Sequence, residues 1–222
     1  MRLPLLRSAE ELAALVNEIG FLPFFAGQVH DFSVEECTPA DLWFADGVDG
    51  PWEWKGPAIQ TAGCAYGKFF KGKSGYISRE WYSDFANVRR NALSFAEAYE
   101  DGRIPHDTKA VYDALAAADS MLSRDLKWRS GCPKKAFDGV LTRLQMQGYV
   151  ITTDFEYARD RLGKPYGWGL ARVDIPEHVF EADFMDEAAE NTPEESRQKI
   201  LAHLSRLGPE AEEKRLLRLI DL

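Results

Sequence analysis

Cysteine is scarce in this chain of 222 residues: Cys37, Cys64 and Cys132 are odd in number and far apart, so no disulfide framework is expected. Histidine is equally sparse and scattered, at His30, His106, His178 and His203, and neither Cys-x-x-Cys nor His-Glu-x-x-His occurs. Metal ligands come in short spacings, so no metal centre and no cofactor are expected. No apolar run approaches the ~20 residues that a membrane span needs. Ahead of Arg7 the apolar patch is only four residues long, Leu3 to Leu6, too short for a secretory leader, and the expectation is a cytoplasmic protein without membrane contact. Positive charge is the minority, 27 Lys+Arg against 36 Asp+Glu for a net charge of −9. Internal repeats at a fixed period and low-complexity tracts are also missing. What is present, 45% hydrophobic and 12% aromatic residues, can fill a substantial core, which excludes a disordered tail.

The charge is unevenly placed. Residues 1–66 carry −7, 67–90 carry +4, 91–122 carry −4, 123–143 carry +4, 144–172 carry +1 and 173–222 carry −7. Screening confines a field to roughly 8–10 Å, so an acidic chain with two basic blocks can still present a local face to a polyanion.

Capping chemistry and periodicity organise the chain. Ser8 with Glu11 forms a capping box before Leu12, Leu15, Val16 and Ile19, and Gly20 supplies a stop. Thr38-Pro39 precedes a short helix reaching Trp43 and Phe44. Residues 48–55 read as turns and residues 58–82 as strands around a turn at Lys71 to Gly75. From Asp107, Val111, Leu115, Ala118 and Leu122 recur at helical spacing, and Ser123 caps a short helix carrying Leu126. Pro133 opens a third helix with Phe137, Val140, Leu141 and Leu144 on one stripe, and Gly148 ends it. Two strands, 150–157 and 166–173, flank a basic loop. Three helices followed by a hairpin with a basic tip is the order of a winged helix-turn-helix. Thr192-Pro193-Glu194-Glu195 then caps the first of two C-terminal amphipathic helices. The expected fold is α+β, with an aromatic-rich N-terminal unit over residues 1–95, a winged helix-turn-helix over 96–180 and an acidic helical pair over 181–222.

In a winged helix the third helix enters the major groove and the wing reaches the backbone. With Phe137 at zero, the core stripe spans roughly −60° to +40°, while Lys135, Thr142 and Met146 fall at roughly 140–180° with Arg143 beside them. Lys134, Lys135, Thr142 and Arg143, with Arg159, Arg161 and Lys164 on the wing, are the expected contacts to double-stranded DNA. Gly67 to Ser74 matches the Walker A pattern by letter, but two phenylalanines fill the loop and Gly75-Tyr76-Ile77 reads as turn and strand. The match is read as a hairpin, and nucleotide binding through Lys73 is kept as a lesser alternative. Between Trp52 and Arg90 aromatics alternate with cations, a mixture suited to stacking on exposed bases as well as to sheet core. No Ser/His/Asp constellation is evident.

Several of these stretches resemble one family. Trp52-Glu53-Trp54-Lys55, Tyr66-Gly67-Lys68-Phe69-Phe70, Gly75-Tyr76-Ile77-Ser78-Arg79, residues 84–90, Leu144-Gln145-Met146-Gln147 and Tyr166-Gly167-Trp168 resemble the AlkZ/YcaQ-type winged-helix DNA glycosylases. They resemble more closely the shorter AlkZ-related proteins of bacteria. The likeness covers roughly residues 20–178. It implies tandem winged helices, the first degenerate and within residues 1–95, and action on alkylated or crosslinked bases in DNA. The family's Gln-x-Gln or Gln-x-Asp signature positions the hydrolytic water; Gln145 and Gln147 fit its letters, although the family carries it near the N-terminus. Residues two apart on a helix diverge by ~200°, so the two amides meet only if the helix ends between them. The likeness places the base pocket among Trp52, Trp54, Lys55, Tyr66, Lys68, Arg79 and Trp168. A non-catalytic winged-helix regulator, dimeric through the helices after Thr192, is the alternative.

Overall fold

Capping starts the first helix where the sequence places it: the Glu11 N–H donates to the Ser8 hydroxyl at 3.2 Å, and α1 runs Ala9–Ile19. Gly20, at φ +79°, turns the chain out of the helix. The structure is a computed structural model that describes residues 3–27, 29–43, 48–163, 165–181, 183–188, 190–208 and 211–220, without the side chains of 165, 166 and 168. Phe44, Lys164 and the side chain of Trp168 therefore lie outside what is described.

After α1 come β1 (Phe21–Pro23), α2 (Val34–Cys37), α3 (Pro51–Ala62), β2 (Ala65–Phe70), β3 (Lys73–Ile77) and α4 (Arg79–Arg90). A short α5 (Phe95–Glu100) leads to α6 (His106–Ala116), β4 (Met121–Leu122), α7 (Ser123–Arg129), α8 (Phe137–Met146), β5 (Ile151–Arg159) and β6 (Pro165–Asp174). Setting aside a 3-10 turn at Ala40–Leu42, the order helix, strand, helix, helix, strand, strand runs twice, from α1 to β3 and from α6 to β6. The pairing repeats too. β1 and β2 flank β3, and β4 and β5 flank β6, all antiparallel. β2 meets β5 at Tyr66 opposite Thr152, which joins the halves into one sheet of order β1-β3-β2-β5-β6-β4. The fold class is α+β.

Residues 48–82 correct the expectation of turns and then strands. α3 occupies Pro51–Ala62, because Pro51 sits at its first turn and the Glu53 carboxylate accepts the Gly50 N–H at 3.0 Å. These local contacts nucleate a helix that then buries Trp54, Ala58 and Ile59. The strands begin only at Ala65, and the hairpin turn is confined to Lys71-Gly72. Gly67 to Ser74 is thus strand, turn and strand; no helix starts at Lys73, so the cradle of a Walker A loop is not formed. The stripe expected to extend α6 through Leu122 is cut at Ala116, where Met121 and Leu122 leave to pair with β6. α8 begins at Phe137 rather than at Pro133, whose carbonyl accepts the Ala136 and Phe137 N–H groups of the preceding turn.

Two apolar clusters form the interior. One gathers Leu12, Val16, Phe21, Phe24, Tyr76, Tyr82 and Phe85; the other gathers Val111, Leu115, Leu126, Phe137, Leu144 and Val173. After α9 (Pro176–Val179) the chain returns to the first cluster: α10 (Pro193–Leu207) and α11 (Glu213–Ile220) bury Ile200, Leu204, Leu216 and Ile220 in it. The capping box at Thr192 is formed, with the Glu195 N–H donating to the Thr192 hydroxyl. Buried Asp84 on α4 anchors α10 by accepting from Ser196 Oγ at 2.7 Å and Lys199 Nζ at 2.5 Å. α4 also ties the halves together. Arg89 donates to the carbonyls of Met146 and Phe69, and Arg90 to that of Gly148, so the C-terminal end of α8 is held by two buried guanidinium groups.

Candidate functional site

Where β2 meets β5, a cleft of about 380 Å³ opens between α3 and α8. This is within the range of small-ligand pockets. α3 packs against β5 and α8 against β2, so each helix lies over the other half's strand. From α3 come Trp52 and Lys55; from β2, Tyr66 and Lys68; from α7, Arg124 and Lys127; from α8, Phe137, Asp138, Leu141 and Gln145; from β5, Thr152 and Phe155. Lys55, Lys68, Arg124 and Lys127 therefore face the cleft with Asp138 as the acidic residue among the described lining. Asp138 lies 3.3 Å from Lys127 Nζ and is itself largely exposed. The site is cationic in a chain of net charge −9.

Lys55 is the most unusual of the four. It is 7% exposed, and its Nζ lies 4.2 Å from the Phe155 ring centroid and 5.0 Å from that of Trp52. No hydrogen bond or ion pair reaches this amine among the described residues. Burial pulls its pKa down from 10.5 to about 8, against a smaller opposing pull from Glu53. The aromatic wall is continuous: Tyr66 meets Phe155 edge-on at 5.6 Å, and the Tyr157 hydroxyl donates to the Trp52 carbonyl at 2.8 Å.

Gln145 sits in the cleft floor as a strut. Its Oε1 accepts the Lys68 N–H at 3.2 Å and its Nε2 donates to Thr152 Oγ1 at 3.1 Å, so one buried amide bridges β2 and β5. Gln147 is the cap residue beyond Met146 and does not line the cleft. α8 does end between the two glutamines, yet the chain continues in helical conformation at Gln147 (φ −81°, ψ −4°), where residues two apart still diverge by ~200°. Of the other residues expected in a base pocket, Trp52, Lys55, Tyr66 and Lys68 are brought together here. Trp54 is 4% exposed in the first apolar cluster. Arg79 is clasped by Glu187 at 2.8 Å and reaches the Phe180 carbonyl, away from the cleft.

The residues expected to touch DNA divide by position. Lys134 and Lys135 are exposed in the turn before α8, and Arg143 is exposed, 3.4 Å from Thr108 Oγ1. Arg159 and Arg161 are exposed on the β5–β6 hairpin, where Arg159 donates to the Gly163 carbonyl at 2.9 Å. Thr142 is different: it is half-buried, its hydroxyl donates to the Asp138 carbonyl, and with Met146 it lies over Gly72 of the β2–β3 turn. The face of α8 opposite its core stripe is thus partly covered by the other half.

Arg124, Lys127, Asp138 and Phe155 are functional candidates that residue patterns alone do not single out. Arg124 and Lys127 belonged to the basic block 123–143, and that charge was the available signal. Trp128, 87% exposed, stands beside them, with Lys134 bordering the same surface depression. Leu162 at the hairpin tip is 94% exposed. Isolated exposed apolar side chains are ordinary, but these two stand next to cations.

Fold and cleft together define an α+β protein with a cation-lined, aromatic-walled site at the seam of its sheet. Residues 6–221 match the family described as AlkZ related, and the chain belongs to that family. The resemblance carried by residues 20–178 thus extends to nearly the whole chain. No curated protein and no solved structure matches it. No helix among the described residues is long and apolar enough to cross a membrane, and no group of metal-binding side chains is found among them.

Proposed function

We propose that this protein binds double-stranded DNA at damaged or unpaired sites and admits one extruded nucleotide into the cleft between α3 and α8. The observation that carries the reading is the cleft itself: four cations and a wall of Trp52, Tyr66 and Phe155 in an acidic chain. Aromatic faces stack on bases without regard to sequence, and cations at the mouth hold the flanking phosphates. A damaged or mismatched base is cheaper to unstack, which gives selectivity without base-specific contacts. Membership in the AlkZ-related family supports the same direction.

The architecture proposed for this task is a pair of winged helix-turn-helix units. The twice-run element order and pairing pattern support it, with α3 and α8 as the two third helices and β2–β3 and β5–β6 as the two wings. Lys134, Lys135, Arg143, Arg159 and Arg161 extend the phosphate contacts outside the cleft. Gln145 serves as a strut in this reading, since both ends of its amide are engaged by the protein. Recognition, rather than hydrolysis directed by Gln145 and Gln147, is therefore the function proposed. A homodimer through the C-terminal helices is not part of the proposal, because α10 and α11 bury their apolar faces in the chain's own core.

Fluorescence anisotropy with plain, alkylated and mismatched duplexes over a salt series tests this. The lesion-containing duplexes are expected to bind at least tenfold more tightly than the plain one. Lys68→Glu and Lys127→Glu should each weaken binding about tenfold or more and flatten the salt slope. Equal affinity for every duplex, or affinity indifferent to both reversals, refutes the cleft as the site. Free-base release from alkylated DNA, abolished by Gln145→Ala and Gln147→Ala, would replace recognition with glycosylase action.

A further inference from the structure

We propose that the Lys55 amine is a nucleophile that forms a covalent imine with the ring-opened deoxyribose of an abasic site held in the cleft; this rests on the DNA reading above. Lysines buried in proteins are normally paired with a carboxylate. Lys55 is not: its Nζ is flanked by Phe155 and Trp52 and meets neither hydrogen-bond nor ion-pair partner among the described residues. It nevertheless lines the cleft and so faces whatever enters. The charged groups around it are Glu53 on its own helix, Asp154 on β5 beside Gly56, and Lys68, Arg124, Lys127 and Asp138 around the cleft. Three of the cleft groups are cations, which attract the phosphates on either side of a nucleotide. A lysine desolvated in an apolar pocket is the setting in which an amine gives up its proton closer to neutral pH and becomes nucleophilic. The pKa near 8 agrees with this.

An abasic site is the substrate class that supplies the complementary electrophile. Its deoxyribose equilibrates with an open-chain form bearing an aldehyde at C1′, and with no base present the sugar can enter a cleft of this size. The neutral amine adds its lone pair to the C1′ carbon, and the carbonyl oxygen takes up a proton to give a carbinolamine. Loss of that oxygen as water leaves the C=N bond. One amine and one aldehyde give one imine and one water, with no change of oxidation state.

Hydride trapping tests the inference. The full-length protein is incubated with a duplex containing one abasic site and cyanoborohydride, and the adduct is located by peptide mass spectrometry. A parallel duplex with an unreactive tetrahydrofuran site reports occupancy by anisotropy. One adduct per chain is expected, on Lys55, forming at least tenfold faster than in Lys55→Arg or Lys55→Met at duplex concentrations that saturate each variant. Its rate should rise from pH 6 to about 8 and then level, where an ordinary lysine would keep gaining towards 10. If the tetrahydrofuran duplex binds but no adduct forms, or the adduct maps to another lysine, the imine is refuted and the DNA reading stands. If no duplex binds, the DNA reading falls and takes the imine with it.

Discussion

Replacing Lys55 with methionine should make the protein more stable while impairing its site. The amine is pulled from 10.5 down to about 8 in the folded chain. At 1.36 kcal/mol per tenfold change in acidity, keeping it protonated in the fold costs about 3 kcal/mol. Attraction to the Phe155 and Trp52 rings, 4.2 and 5.0 Å away, offsets about 1–2 kcal/mol of that. Methionine has a similar length, fills the same space and leaves no charge buried. The expected gain at pH 7 is therefore about 1–2 kcal/mol, or roughly 2–8 °C in Tm for a chain of this size. Its pH dependence carries the diagnosis. Because the folded value lies below the unfolded one, the unfolded chain holds the extra proton between about 8 and 10.5, and wild-type stability rises with pH across that window. The advantage of Lys55→Met should be full at pH 7 and should close towards pH 10. Denaturant unfolding followed by tryptophan fluorescence at pH 7, 8.5 and 10 measures it. A variant less stable than wild type at pH 7, or a gap that stays constant with pH, would show that the amine is not held at a charge-burial cost. A stabilising change at a residue retained in an open cleft is the pattern of a site that trades stability for activity.

Other positions give sharper structural tests. Gln145→Ala strands the Lys68 N–H and the Thr152 hydroxyl at the β2–β5 seam, and a loss of about 1–3 kcal/mol is expected in urea unfolding; no loss would remove the strut. Arg90→Met leaves the Gly148 carbonyl and the Glu177 carboxylate without the buried guanidinium that now meets both. A loss of about 3–5 kcal/mol, or failure to fold, is expected, and a drop below 1 kcal/mol would show that α4 does not hold α8. Trp128→Ala, at an 87% exposed position, should change stability by no more than about 0.5 kcal/mol. The same change should cost about 1–3 kcal/mol of binding if the indole stacks on a base, and unchanged affinity would place Trp128 outside the interface.

What was legible in the sequence was local. Ser8 with Glu11 and Thr192 with Glu195 cap helices as their letters imply, because both partners of each hydrogen bond lie within one turn. The stripe Phe137, Val140 and Leu144 faces the core for the same reason of proximity. Gly67 to Ser74 was readable as a hairpin since bulky phenylalanines cannot wrap a phosphate. α3 was not readable: its tryptophans, Gly56 and Pro57 resemble a turn, and packing against α1 and β5 carries the helix on from its local start at Gly50 and Glu53. The doubled topology leaves no residue period in the sequence and enters there only through the family resemblance, which implies tandem units.

The amino-acid order by itself determined the α+β character, the helix caps, the second hairpin and the family. The tertiary structure decided which of the scattered cations and aromatics share a site. It set Lys55, Lys68, Arg124 and Lys127 around one opening, moved Arg79 and Trp54 away from it, and turned Gln145 into a strut. The reason is one of range. A cap or a stripe is settled by bonds between near neighbours, whereas the cleft exists only because β2 finds β5 and α4 grips the end of α8. Contacts between such distant parts of the chain leave no local pattern to read.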